Sequence, residues 1–209
     1  MDGASQPRPL LASKTIRIPW SFTPDGKRLA YTEMGSGKPQ IWTVTLEDQS
    51  GQLKAGAPEP FLKTNFTDLN PSFSPDGRWL AYQSNESGKN EVYVRAFPLP
   101  SSGQGGKWQV SNTGGVDPQW SRTGHELVYR SGDQLMAVSY SVKGDTFVAD
   151  KPRVWLSKPG GTDFDLSPDG KRLAVVTPVA NAGPPAQEHV VVFLQNFFDE
   201  LRRRVPLGN

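Results

Sequence analysis

Apolar and polar residues alternate along this chain in short runs, and the runs are separated by clusters of Pro, Asp, Gly and Ser. That pattern predicts β-strands joined by tight turns, because a strand shows alternate side chains to opposite faces while turn residues interrupt pairing. Four stretches superpose: WSFTPDGKRLAYTE from Trp20, PSFSPDGRWLAYQS from Pro71, PQWSRTGHELVYRS from Pro118 and FDLSPDGKRLAVVT from Phe164. Their turn glycines, Gly26, Gly77, Gly124 and Gly170, lie 51, 47 and 46 residues apart.

A repeat of that length holding several strands is the mark of a propeller blade. The first strand of each repeat ends on Phe22, Phe73, Trp120 or Leu166, and a Thr/Ser-Pro-Asp-Gly turn follows, degenerate in the third repeat as Ser121-Arg122-Thr123-Gly124. Pro presets φ, Asp bonds back to the turn backbone and Gly takes the positive φ. Second strands begin at Leu29, Leu80, Leu127 and Leu173. Third strands are Ile41–Val44, Glu91–Val94, Leu135–Val138 and His189–Phe193, and fourth strands are Pro60–Leu62, Trp108–Val110 and Arg153–Trp155. The expected fold is all-β: a propeller of about four four-stranded blades over 16–64, 69–111, 117–158 and 163–194. Pro9–Ser13 is the candidate for the strand the last blade lacks, closing the ring and hiding its edges. A short C-terminal helix is expected over about 196–204. The alternative is the last part of a larger propeller, with exposed blade edges and a tendency to form homodimers.

Composition narrows the chemistry. The 21 Gly and 19 Pro suit many turns, and a chain of this length buries a core without metals or disulfides. With no Cys, thiol nucleophiles and iron–sulfur clusters are excluded, and with two His a His-rich metal site is disfavoured. A net charge of +2 gives no electrostatic footprint for nucleic acid, and the one basic cluster, Arg202-Arg203-Arg204, suits a solvated helix end. No apolar run reaches membrane-spanning length and no signal peptide is visible.

The Ser-Pro-Asp-Gly-x-x-Leu-Ala-Tyr repeat resembles the WD-like propeller repeat of TolB and its relatives. The run from about Gly51 to Asn209, through NPSFSPDGRWLAYQSNESGKNEVYVRAFP, GKWQVSNTGGVDPQWSRTGHELVY and DFDLSPDGKRLAVVTP, resembles the C-terminal propeller of bacterial Ser/Thr protein kinases of the eukaryotic-like type. The resemblance implies a binding or scaffold propeller in a bacterial signalling setting, with relatives often periplasmic or extracytoplasmic. Such propellers usually have six or more blades. No Gly-rich phosphate loop, His-Arg-Asp loop or Asp-Phe-Gly is present.

Candidate site residues cluster at the start of the inner strands. Aligned on the turn, Pro19, Asn70, Asp117 and Asp163 are followed two positions later by Ser21, Ser72, Gln119 and Asp165. Strand alternation aims both sets away from the core and toward a central channel. Asn70, Asp117, Gln119, Asp163 and Asp165 are therefore the expected ligand-binding residues at the channel mouth. Asp117, Asp163 and Asp165 form an oxygen-ligand set that could hold Ca²⁺ or another divalent cation, although no cofactor is required. Turn chemistry alone accounts for Asp25, Asp76 and Asp169. Loop pairs Glu33/Lys38 and Glu86/Lys89 are expected on the mouth side.

No nucleophile elbow, zinc-binding helix motif, phosphate loop or dinucleotide fingerprint occurs, so no catalytic residue is assigned. The leading expectation is a non-catalytic module binding a protein, a peptide or a small ligand at the channel mouth. The alternatives are a metal-assisted lyase or hydrolase, and the propeller cap of a prolyl oligopeptidase-type hydrolase without its catalytic domain.

Overall fold

The computed structural model describes residues 9–100, 105–123, 125–161, 163–167 and 172–177. The third strand expected at His189–Phe193, the helix expected over 196–204, and Gly124, Asp169 and Gly170 lie outside the described residues.

The described residues form sixteen strands and no helix. The first blade holds β1 (Ile16–Phe22), β2 (Arg28–Met34), β3 (Gln40–Gln49), β4 (Gln52–Ala55) and β5 (Glu59–Pro60); the second holds β6 (Asp68–Phe73), β7 (Trp79–Ser84), β8 (Glu91–Ala96) and β9 (Lys107–Gln109). The third holds β10 (Val116–Trp120), β11 (Glu126–Ser131), β12 (Gln134–Lys143), β13 (Thr146–Ala149) and β14 (Arg153–Ser157), and the fourth β15 (Asp163–Leu166) and β16 (Leu173–Val176). Every pairing is antiparallel between strands close in sequence.

The turn between the first two strands works as its residues dictate. In the second blade Gly77 N donates to Ser74 O at 2.9 Å with φ +70°, where a side chain is strained. Ser74 Oγ donates to Asp76 Oδ1 at 2.5 Å and accepts from Trp79 N at 3.0 Å, while Arg78 N donates to Asp76 at 3.1 Å. The first blade repeats this set through Thr23 and Asp25, and these bonds hold the Asp25 carboxyl below its usual range, the Thr23 hydroxyl contributing most. Asp25 and Asp76 are thus tied into their turns.

Two elements were not expected. β3 and β12 run on for ten residues each and fold back through two-residue loops onto β4 and β13. The first loop, Ser50-Gly51, has positive φ at both residues, the conformation whose twist matches a hairpin. These hairpins precede the outer strands β5 and β14, which pair directly with β3 and β12.

Adjacent blades pack face to face. Between the first two lie Ala30, Ile41 and Phe61 against Phe73, Leu80, Tyr82 and Tyr93. Between the second and third, Trp79, Ala81, Val92 and Val94 meet Trp120, Leu127, Tyr129 and Phe147. Val128, Leu135 and Ala137 of the third blade pack on Phe164, with Leu166, Leu173 and Val175 beside it. One column therefore supplies a large residue that enters the preceding blade, and another supplies a small receiving residue, Ala30, Ala81 or Val128.

The strand expected over Pro9–Ser13 is not formed. Leu10 and Leu11 instead pack beside Leu29, Tyr31, Val44 and Leu46, on an apolar face of the first blade that no other blade covers among the described residues. Phe22, in the same column as Phe73 and Trp120, is 56% exposed where they are 6% and 7% exposed.

Candidate binding site at the channel mouth

The inner strands are not regular. Register shifts fall between Pro19 and Ser21 in β1, Leu69 and Ser72 in β6, and Val116 and Gln119 in β10. Such bulges re-aim a side chain at a strand end. At the second and third of them Asn70 and Asp117 adopt φ of +53°. Asn and Asp tolerate this left-handed conformation best among side-chain-bearing residues, and the matching Pro19 cannot adopt it. Two consecutive blades thus turn a short polar side chain the same way, and Asn70 Nδ2 donates a hydrogen bond to Asp117 Oδ1 across the blade boundary.

Asp117 carries the perturbed carboxyl of this cluster. Burial pushes its carboxyl above the usual range and the charge of Asp163 adds to the rise, while the Asn70 hydrogen bond and the Arg130 guanidinium pull it back. Arg130 extends from β11 over the Phe164 ring, with Cζ 5.6 Å from the ring centroid. Its Nε and Nη2 are buried without a hydrogen-bond partner. Sequence reasoning passed over Arg130. The signal lay in the repeat column Thr32, Gln83, Arg130, Val176, where a charge replaces neutral residues.

The other expected residues divide. Asp163 lies near enough to Asp117 for its charge to act on that carboxyl. Gln119 has another use: its Nε2 donates to Phe164 O at 2.6 Å and its Oε1 accepts from Leu166 N at 3.2 Å, so the whole amide fastens the fourth blade to the third. Ser21 does the same between the first and second blades, its Oγ accepting from Phe73 N at 3.1 Å. Asp165 belongs to this fastening column and stands exposed on β15. Among the described residues no three His, Asp or Glu side chains approach closely enough to hold a metal ion, so the set Asp117, Asp163 and Asp165 is not assembled. The bulge turns Asp117 toward Asn70, while Asp165 sits in the column that faces a blade boundary.

The loop pairs also re-form. Glu33 pairs with Arg17 at 3.3 Å rather than with Lys38, and Glu86 with Lys107 at 2.8 Å rather than with Lys89. Lys89 lies 3.3 Å from the fully buried Glu91, which also accepts from Ser111 Oγ and from Gly114 N at 3.0 Å. No helix among the described residues is long and apolar enough to cross a membrane.

The family model described as the TolB beta propeller domain matches residues 1–183. The chain belongs to that family. It is 30% identical over 121 residues to the Tol-Pal system protein TolB of Anaeromyxobacter dehalogenans, a match covering 57% of this chain and 25% of that protein. It is 28% identical over 128 residues to the TolB homolog of Chlorobium luteolum, covering 44% of this chain and 29% of that one. Each match thus spans less than a third of the relative's length. Among solved structures, TolB of Acinetobacter baumannii aligns over 86% of this chain and 53% of its own, at 16% identity and TM-score 0.44. A 6-phosphogluconolactonase-like protein of Bacteroides uniformis aligns over 76% and 47%, at 18% identity and TM-score 0.50, a likeness of fold alone. Membership of this family supports a binding or interaction module.

Proposed function

We propose that this propeller is a non-catalytic recognition module that takes a protein segment, a peptide or a small ligand at the mouth formed by Asn70, Asp117 and Asp163. The observation that carries the proposal is the matched left-handed pair. Asn70 and Asp117 hold a sparsely populated backbone conformation at one position of two consecutive blades, and their side chains meet at the strand starts. Backbone strain of this kind concentrates where a side chain is aimed for function. The mouth offers carboxylate acceptors from Asp117 and Asp163 with the Arg130 guanidinium behind them, which suits a ligand rich in hydrogen-bond donors. The metal-assisted lyase or hydrolase reading gains no support from this geometry. The prolyl oligopeptidase-type cap stays a proposal of the same binding kind. An extracytoplasmic setting, implied by the resemblance, belongs to this proposal and is checked by fractionating cells that express the full gene.

The test is a thermal-shift screen of the 209-residue chain against an arrayed peptide library and against CaCl₂, with the parent compared with Asn70→Ala and Asp117→Asn. A ligand at a hundred times its dissociation constant stabilises by about 2.7 kcal/mol. Hits that stabilise the parent and lose their shift in both variants support the mouth. Hits that keep the full shift in both place the site elsewhere, and a CaCl₂ shift in the parent would revive the cation reading.

A further inference from the structure

We infer that the open face of the first blade is an interface for a second copy of this chain, whose fourth blade seats on Phe22. The inference is independent of what the channel mouth binds. The four repeats run in the same register here, pairing Phe22 with Leu29, Phe73 with Leu80, Trp120 with Leu127 and Leu166 with Leu173. Phe73 and Trp120 are buried against the blade before them, whereas Phe22 is 56% exposed. Leu10 and Leu11 cover the part of this face beside Leu29, Tyr31, Val44 and Leu46, and leave Phe22 on the inner strand open.

The matching surface sits at the other end of the same chain. Small residues opposite the fastening column receive the next blade: Ala30 opposite Ser21, Ala81 opposite Ser72, and Val128 opposite Gln119. The next member is Ala174 opposite Asp165. Val175 packs on the third blade, so alternation turns Ala174 and Asp165 to the far face, where no later blade is described. The fastening bonds repeat as well. The backbone N–H of Phe73 goes to Ser21 and that of Leu166 to Gln119. By the same register the Phe22 N–H points out of its own sheet, and the Asp165 carboxylate of a second copy is the acceptor in the matching place. A large residue, a small receiving residue and a hydrogen-bond pair are all supplied by one chain, at opposite ends.

A head-to-tail contact of this kind becomes a closed two-fold assembly when two copies satisfy each other. The described residues of each copy bring four sheets, so two copies fall within the roughly four to eight blades that propellers hold. The exposed outer strand β14, with Val154 48% and Leu156 40% exposed, is the competing surface.

Light scattering behind size-exclusion chromatography tests the proposal on the 209-residue chain. The parent is expected at twice the 22.9 kDa of one chain. Phe22→Asp and Asp165→Lys should each weaken self-association at least tenfold while keeping the β-sheet circular dichroism. Mixing the two variants should recover a dimer, since one interface is then intact and the introduced carboxylate and ammonium face each other at the second. Should Phe22→Asp fail to fold, Asp165→Lys, on an exposed strand, decides alone. A monomeric parent at all accessible concentrations, a dimer that survives Asp165→Lys, or a dimer abolished by Val154→Lys would each overturn the proposal.

Discussion

Trp120 and Phe22 occupy the same place in the repeat and live in opposite environments. Trp120 lies between the second and third blades, its ring edge-on to Tyr140 at 5.0 Å and to Phe147 at 5.9 Å, with Trp79 also against Phe147. Its indole N–H reaches Ser72 O at 2.9 Å, so even its polar atom is used at the boundary. Phe22 has the same register and more than half of its surface in water. The difference teaches that the repeat specifies a surface, and that its contribution to stability depends on whether a neighbouring blade covers it.

The largest expected effect breaks this comparison at its buried end. Trp120→Ala should destabilise by about 3–5 kcal/mol, since it removes a buried aromatic and opens a cavity among rings that cannot all collapse. Urea unfolding of Phe22→Ala measured where the chain is monomeric should show less than about 1 kcal/mol, as for an ordinary surface substitution. Equal losses at the two positions would mean that Phe22 is covered in solution by its own chain.

Next comes Gln119→Ala, which leaves Phe164 O and Leu166 N without their side-chain partner and should cost about 1–3 kcal/mol. Amide exchange at Leu166 should quicken markedly while exchange in β7 stays slow. Unchanged exchange at Leu166 would show that the third and fourth blades hold together without this amide.

Ser74→Ala should follow at about 1–2 kcal/mol. The Ser74 side chain is buried, and its loss strands Trp79 N and frees the Asp76 carboxylate from the turn. A thermal melt that moves by less than a degree would show that Pro75 and Gly77 hold the turn unaided.

The parts of this molecule that were legible in its sequence are those whose causes are local. Each inner strand and its turn is spelled within about fifteen residues, and β1, β6, β10 and β15 end at Phe22, Phe73, Trp120 and Leu166 as the alternation predicts. The hairpins ending in β4 and β13 were missed because each of these strands is only four residues long, although Ser50-Gly51 and Gly144-Asp145 are hairpin turn pairs. β5 is cut to two residues, and Pro60 brings no N–H to its pairing with β3. The alignment placed Asn70, Asp117 and Asp163 at strand starts, where Asn70 donates to Asp117 and the charge of Asp163 acts on the Asp117 carboxyl. It could not tell them from the fastening column two residues on, because the partner of Gln119 lies more than forty residues away in the next blade. Pro9–Ser13 was expected to pair as a strand because its sequence resembles Pro60–Thr64. In the fold its leucines pack instead on the apolar face of the first blade.

The smallest expected effect bears most directly on the proposed mouth, where burial holds the Asp117 carboxyl above its usual range. A carboxyl whose value is raised on folding binds more protons in the native state, so its penalty is absent below the ordinary carboxylate range and grows as pH rises through the folded value. Asn at 117 keeps an oxygen to accept from Asn70 and removes the charge. The decisive measurement is the melting temperature of the parent and of Asp117→Asn from pH 3 to pH 8. The account predicts that the variant melts higher at pH 7, by a few degrees at most, with the gap closing below about pH 4. A variant that melts lower at pH 7 would contradict it, and would make Asp117 a structural acceptor rather than a group aimed at a ligand.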